Sequence, residues 1–334
     1  MTIQDEVLNS FQSMDVVVTG GTGLIGRQVV DLLLYAGANV KVISLDKINL
    51  SHKVDYVYGD LTDFNFCKDA LSGAETVFHL AGIKGSAGVS SSHLANHFVP
   101  TLMFNTNTLE SCRLNKVKRV VYTSSIGAYA NDEYFIEQDA GDFEDSPMDF
   151  AGWAKRMGEL QIFAYNQQHG LSNYSVVRPS NVYGPGDNFD PNNAMVIPSL
   201  ISRIVSGENP LKVWGDGSAI RDLVYCGDVA KGILQAAYYG TKGGYVNLGS
   251  GSGVSILELV KTLAGLEGFQ YEFDITKPSG FPKRVMDISK AKETLGYNPT
   301  TTLIEGLSAT LEWYKANKKE YELKKNYFKN EDGH

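Results

Sequence analysis

The chain has 334 residues, 43% of them hydrophobic and 20% charged, with 34 Gly, 10 Pro and a formal charge of −8. This balance excludes disorder, a collagen-like repeat and a disulfide scaffold, and it carries no basic stripe of the kind a nucleic-acid partner needs. Cys67, Cys112 and Cys226 are widely spaced with no C-x-x-C pair, no apolar run reaches a membrane span of roughly 18 residues, and the polar, acidic segment 1–14 does not read as a signal peptide, so a cytoplasmic protein without metal or membrane partner is expected.

From Asp15 onward, short β-branched runs alternate with longer helical stretches. Residues 16–18 predict a strand, 24–35 a helix, and 40–45, 56–58 and 76–78 further strands. Residues 101–114 read as a helix, 119–122 as a strand, 155–168 as a helix and 174–177 as a strand. Strands that are nearly all apolar and separated by helices imply a parallel sheet covered on both faces, with right-handed crossovers. Beyond Arg178 the rhythm changes. Residues 184–193 are rich in Gly, Pro, Asn and Asp and read as a loop, and helices follow at 198–206, 229–239, 255–263 and 302–316. The lysine-rich tail 315–329, interrupted by Glu320 and Glu322, reads as a solvated end. The predicted fold is α/β: a Rossmann-type doubly wound parallel sheet over residues 1–180, then a smaller C-terminal α/β substrate lobe over 181–334, with the chain crossing back near 217–250.

The turn after the first strand reads Thr19-Gly20-Gly21-Thr22-Gly23-Leu24-Ile25-Gly26. Gly20, Gly23 and Gly26 permit a tight turn, close approach of a pyrophosphate and close helix packing, while the helix start at Leu24 and Ile25 offers N–H groups to phosphate. Asp46 follows about 20 residues after Gly26, at the end of the second strand, where the dinucleotide fingerprint places a ribose-binding acid. Thr22 completes the turn. Asp46 favours NAD over NADP by repelling a 2′-phosphate, and Lys47 beside it works in the opposite direction. Asp60, followed by Leu61, either faces the adenine or forms a plain strand-end turn.

Five motifs occur in order: the Gly20–Gly26 turn, Gly59-Asp60-Leu61, His79-Leu80-Ala81-Gly82, Tyr122-Thr123-Ser124-Ser125 and Arg178-Pro179-Ser180-Asn181-Val182-Tyr183-Gly184-Pro185. Together they resemble the extended short-chain dehydrogenase/reductase (NAD-dependent epimerase/dehydratase) family of nucleotide-sugar enzymes, over residues 15–312. The resemblance implies that Leu80, Ala81 and Gly82 line the cofactor. It also implies that a serine, Ser125 with Ser124 as substitute, works with the tyrosine and lysine of a Tyr-x-x-x-Lys motif. Lys155 matches that lysine. The tyrosine position is Ala151, which has nothing to titrate. Three explanations compete: an engineered replacement that leaves the protein inactive but able to bind, a natural relative with another proton carrier, and a binding protein without catalysis. The first is favoured, because the motif around Ala151 is otherwise intact.

In motif detail the segments 183–190, 196–198 and 277–287 look like GDP-fucose synthase and its relatives, which favours a GDP-linked sugar. The acid–base positions of that enzyme's epimerisation match Ile126 and Met195, and Ile126-Gly127 replaces the Asp-Glu pair of 4,6-dehydratases. This leaves redox at sugar C4: dehydrogenase, reductase or 4-epimerase. The alternatives are a non-catalytic NAD- and nucleotide-sugar-binding protein, or a 4,6-dehydratase or 3,5-epimerase with atypical acid–base residues. By resemblance the substrate side comprises Lys84, Asn181, Val196, Arg221, Lys283 and Arg284, with the two arginines on the diphosphate. Trp214 reads as core in preference to base-stacking, and His79 as a packed histidine in preference to a metal ligand. The resemblance further implies a homodimer through helices 101–114 and 152–168, with Met103, Leu109, Leu160 and Phe163 supplying apolar area.

Overall fold

The alternation of β-branched runs and helical stretches folds as follows in a computed structural model, which describes residues 4–83, 85, 92–130, 132–136, 146–190, 193–242 and 244–321. Helix α1 (Asp5–Asn9) precedes β1 (Asp15–Thr19), α2 (Leu24–Tyr35), β2 (Asn39–Ser44), β3 (Asp55–Tyr58), α3 (Phe64–Ala70), β4 (Thr76–His79), α4 (Leu94–Leu114) and β5 (Arg119–Thr123). A 3₁₀ turn at Ile126–Ala128 and the short β6 (Tyr134–Phe135) lead to α5 (Phe150–His169), β7 (Tyr174–Pro179) and β8 (Asn181–Tyr183). Then come α6 (Val196–Val205), β9 (Leu211–Trp214), β10 (Ile220–Arg221), β11 (Leu223–Tyr225), α7 (Cys226–Tyr239) and β12 (Tyr245–Leu248). The chain continues through β13 (Val254–Ser255), α8 (Ile256–Glu267), β14 (Tyr271–Asp274), β15 (Lys283–Met286), α9 (Ser289–Leu295) and α10 (Leu303–Tyr321).

Seven strands form one parallel sheet in the order β12-β7-β5-β4-β1-β2-β3. The chain winds outward from β1 through β2 to β3, then returns to β4 on the other side of β1. The strand order therefore reverses between β1 and β4, and ligands of such sheets bind outside the carboxyl ends of the strands at that point. The sheet is doubly wound and Rossmann-like. Val16, Val17, Val18, Val77, Phe78 and Val120 are buried along its centre, as expected of strands with both faces covered. A second core, including Tyr183, Phe189, Ile201, Leu259, Leu263 and Leu311, lies under the smaller sheets. Those are β13-β10-β15-β6, the pair β11-β8 and the pair β14-β9.

Three departures from the sequence-based expectation have physical causes. Helix α4 begins at Leu94, seven residues ahead of the expected start at Thr101, and runs through Pro100; packing of α4 against α5 offsets the one backbone bond that proline removes. Helix α5 begins at Phe150, five residues before Lys155, because Asp149 caps it by accepting the Gly152 N–H at 2.8 Å. Strand β12 has no alternating pattern to announce it, since all four of its residues are buried. Its Asn247 is satisfied inside, donating to Asp287 O at 2.9 Å and accepting from the Tyr129 hydroxyl at 2.8 Å.

Candidate active site

At the switch point Gly20 adopts φ +68°, and a Cβ there would lie 2.9 Å from the Ala81 backbone. Only glycine lets the turn after β1 touch the loop after β4. Gly26 backs onto the Gly20 carbonyl, and the N-cap of α2 is Gly23, which has no side chain to cap the first turn, so the helix end at Leu24 and Ile25 is shaped for an anion. The Thr22 and Ser44 hydroxyls meet at 2.8 Å; Thr22 also donates to Asp46 Oδ2 at 3.4 Å, and the Asp46 N–H donates to Ser44 at 3.0 Å. These bonds hold the acid at the end of β2, beside the glycine turn. The uncapped helix end and the fixed acid fit a dinucleotide. Lys47 is exposed next to it. Asp60 Oδ1 accepts the Thr62 N–H at 2.9 Å, forming a turn, while Leu61 is buried and its carbonyl accepts from Asn107 at 3.1 Å.

Lys155 reaches the same mouth from α5. Its Nζ donates to Thr123 O at 2.9 Å, lies 5.4 Å from the Tyr122 ring centre, and would be 3.7 Å from a Cβ on Gly82. Burial lowers its pKa to about 8, opposed by the Glu159 carboxylate. Ser125 sits just past β5 and its Oγ accepts the Gly127 N–H at 3.1 Å. The two serines therefore part company. Ser124 donates to the buried Glu159, which Arg178 also holds through bonds of 2.8 and 2.6 Å, so Ser124 belongs to an internal ion pair. Ala151 lies half-buried one turn before Lys155, on the same helix face. A Cβ on the adjacent Gly152 would sit 1.9 Å from Gly127 O, so glycine alone allows α5 to press on the turn that carries Ser125.

Sequence reasoning missed the polar chain beneath this mouth. The Ala81 N–H donates to Thr19 Oγ1 at 3.2 Å, and the Thr19 hydroxyl meets His79 Nδ1 at 2.7 Å. His79 Nε2 meets Asn105 Oδ1 at 2.9 Å, and the Asn105 amide donates to the Tyr122 hydroxyl at 3.0 Å. Tyr122 in turn donates to Lys155 O at 2.9 Å. Burial drives the His79 pKa down to about 3, so this packed histidine stays uncharged. His97 was also missed: it is buried, its Nε2 donates to Ile83 O at 2.8 Å, and burial lowers its pKa.

On the opposite side, Arg221 and Arg284 are register partners on the parallel strands β10 and β15. Both are partly buried. Burial and then the Arg284 charge depress the Arg221 pKa, while burial depresses that of Arg284 against the pull of Asp149. Two half-buried guanidinium groups side by side are what an anion would relieve. Asn181 donates to Asp222 O at 3.0 Å, Val196 opens α6, and Lys283 is exposed beside Arg284. Lys84 lies outside the described residues.

Two readings are corrected. Trp214 is not core: it is 63% exposed, because β9 alternates and turns Leu211 and Val213 inward. Leu109 cannot supply interface area, since it is fully buried in the protomer's own core, whereas Met103 is exposed and Leu160 and Phe163 are half-buried. Among the described residues no group of three His, Cys, Asp or Glu is placed to hold a metal, and no helix is long and apolar enough to cross a membrane.

A model of the NAD-dependent epimerase/dehydratase family matches residues 16–249. GDP-L-fucose synthase 1 of Arabidopsis thaliana is 30% identical over 95% of this chain and 98% of its own. A dTDP-4-dehydro-6-deoxy-D-allose reductase of a Streptomyces species is 30% identical over 91% of this chain and 97% of its own. Among solved structures, the UDP-glucose 4-epimerase of Thermotoga maritima with UDP-glucose superposes with a TM-score of 0.79 at 29% identity, covering 91% of this chain and 99% of that one.

Proposed function

Because the chain belongs to the NAD-dependent epimerase/dehydratase family, we propose that it transfers a hydride at C4 of a nucleotide-linked sugar, as a dehydrogenase, reductase or 4-epimerase. The observation that carries this reading is the convergence of Lys155, Ser125 and the Gly82 loop at one mouth. The named activities of the reductase and the 4-epimerase among its relatives agree with chemistry at that carbon. NAD, held by the glycine turn and Asp46, would accept or return the hydride. The Ser125 hydroxyl would hydrogen-bond the sugar oxygen, and Arg221 with Arg284 would hold the diphosphate from the smaller lobe, residues 181–334. A GDP-linked sugar is favoured by the segments shared with GDP-fucose synthase relatives, and a UDP-linked sugar is the second arm of the assay.

We read Ala151 as a tyrosine replacement that slows proton transfer and leaves the binding site intact. The test follows NADH absorbance with a panel of GDP- and UDP-sugars, alongside mass spectra of nucleotides released on denaturation. Slow transfer at C4 by an occupied protein is expected. Tight binding without transfer even in Ala151→Tyr would instead support a non-catalytic binding protein.

NAD should bind in preference to NADP, because the Asp46 carboxylate repels a 2′-phosphate. Asp46→Ala should weaken NAD binding by about 10- to 100-fold, the effect of losing a charged hydrogen bond, and narrow the preference. Calorimetric titration showing tighter NADP binding by the unaltered chain would overturn this.

A homodimer through α4 and α5 is also expected, with exposed Val99, Met103 and Trp153 on those helices contributing apolar area. Light scattering at micromolar concentration should give twice the monomer mass, and a monomer mass would exclude it.

A further inference from the structure

We propose that Lys155 itself carries the proton of the sugar hydroxyl in this chain. The inference rests on the hydride-transfer reading and assigns the step that Ala151 cannot perform. Position 151 presents only a methyl group one turn from Lys155 on the same helix face, so α5 itself places no phenol beside the amine. The amine is held at the ends of β4 and β5, bonded to Thr123 O at 2.9 Å and close to Gly82.

The other titratable groups near this mouth are committed elsewhere or poorly suited. Both ring nitrogens of His79 are hydrogen-bonded inside the protein, to Thr19 and Asn105. The Tyr122 hydroxyl is buried between Asn105 and Lys155 O, and burial raises its pKa. His97 spends its Nε2–H on Ile83 O. Asp149 is exposed and uses Oδ1 to cap α5.

The groups that set the charge on Lys155 come from each surrounding element. Glu159 faces it from its own helix, itself paired with Arg178 on β7 and Arg156. The Tyr122 ring faces it from β5, with His79 behind on β4 and His97 on α4. Burial outweighs the Glu159 attraction, and a pKa of about 8 leaves the amine able to exchange a proton near neutral pH. In the oxidation the carbinol carbon loses a hydride to the oxidised nicotinamide, and its hydroxyl loses a proton to the uncharged amine. The products are a ketone, the reduced nicotinamide and an ammonium on Lys155. Reduction reverses each transfer.

Two measurements on the intact protein test this. Oxidation of the sugar nucleotide should rise with pH through one limb near 8 and level off above it, while reduction should fall through the same limb. Lys155→Arg keeps a cation but cannot shed its proton, so it should lower oxidation at least 10²-fold and remove the limb. Independently of turnover, competitive acetylation read by mass spectrometry should give Lys155 a midpoint near 8, well below the value of about 10.4 for a lysine in a model peptide. A limb below 6.5 that vanishes in His97→Gln would overturn the assignment in favour of the histidine. A Lys155 midpoint near that of a lysine in a model peptide, or transfer that persists in Lys155→Arg with its limb intact, would also overturn it. No transfer at all from a chain that binds both dinucleotide and sugar nucleotide overturns the Lys155 assignment, and no transfer even in Ala151→Tyr overturns the hydride-transfer reading as well.

Discussion

Ala151→Tyr is expected to raise hydride transfer by about 10²–10⁴-fold, the contribution of a positioned general acid or base. The gain falls toward the lower figure to the extent that Lys155 already moves the proton. The neighbourhood stands ready for the phenol: Asp149 caps the helix, Gly152 seats it against the Ser125 turn, and Lys155 follows four residues on. An ammonium at Lys155 would then stabilise the phenolate, so the lysine's role changes from proton carrier to electrostatic partner. The effect should fall on kcat with little change in KM, because the substituted group acts in the transition state more than in binding. Phe150→Tyr is the control. It places a phenol one residue away, on an exposed part of the helix pointing about 100° elsewhere, and should give no gain. Equal rates for the alanine and tyrosine proteins, with ligands bound to both, would remove proton transfer as the limiting defect.

The second large effect is on stability. Arg178→Met should cost about 3–5 kcal/mol, because it leaves the Glu159 carboxylate buried without its bidentate partner. Arg178 also lies 3.5 Å from the Tyr245 ring centre and 4.2 Å from that of Tyr129, contacts that methionine replaces only partly. Chemical denaturation measures the deficit, and Glu159→Gln in the Arg178→Met background should recover part of it by removing the stranded charge. No recovery would show that Glu159 is not the group left stranded. The exposed pair Lys118–Glu75 supplies the contrast, and Lys118→Met should change stability little.

What could be read from the chain in advance was local. The turn from Gly20 to Gly26 announces itself because strand, glycines and helix are consecutive, and Asp46 stands at a fixed spacing from them. Lys155 was legible by comparison with a motif of five residues, and so was the lack of a tyrosine. Contacts between distant segments were not. Nothing in Ser124, Glu159 or Arg178 alone reveals that they meet, nor that Ser124 would leave Ser125 alone at the mouth. The chain from Thr19 through His79, Asn105 and Tyr122 draws on four elements whose adjacency is set only by sheet order. Leu109 and Met103 share a helix but face opposite ways, one inward and one outward, and that depends on where α4 meets its neighbours. Residue type alone points Trp214 inward, since a large aromatic suggests burial, while the two-residue period along β9 turns it outward.

The smaller sheet contains β6, drawn from residues 134–135 well before the start of the C-terminal half, and the main sheet is completed by β12 from well after it. Each half thus lends a strand to the other, like two clasped hands. A chimera made by exchanging everything beyond residue 180 for the same stretch of a relative would therefore break two sheets at once. New sugar specificity in a chain built this way is reached more readily by altering side chains and loops in place than by shuffling whole modules. Crossover libraries between relatives should accordingly return folded progeny when the junctions keep β6 with β15 and β12 with β7 from one parent.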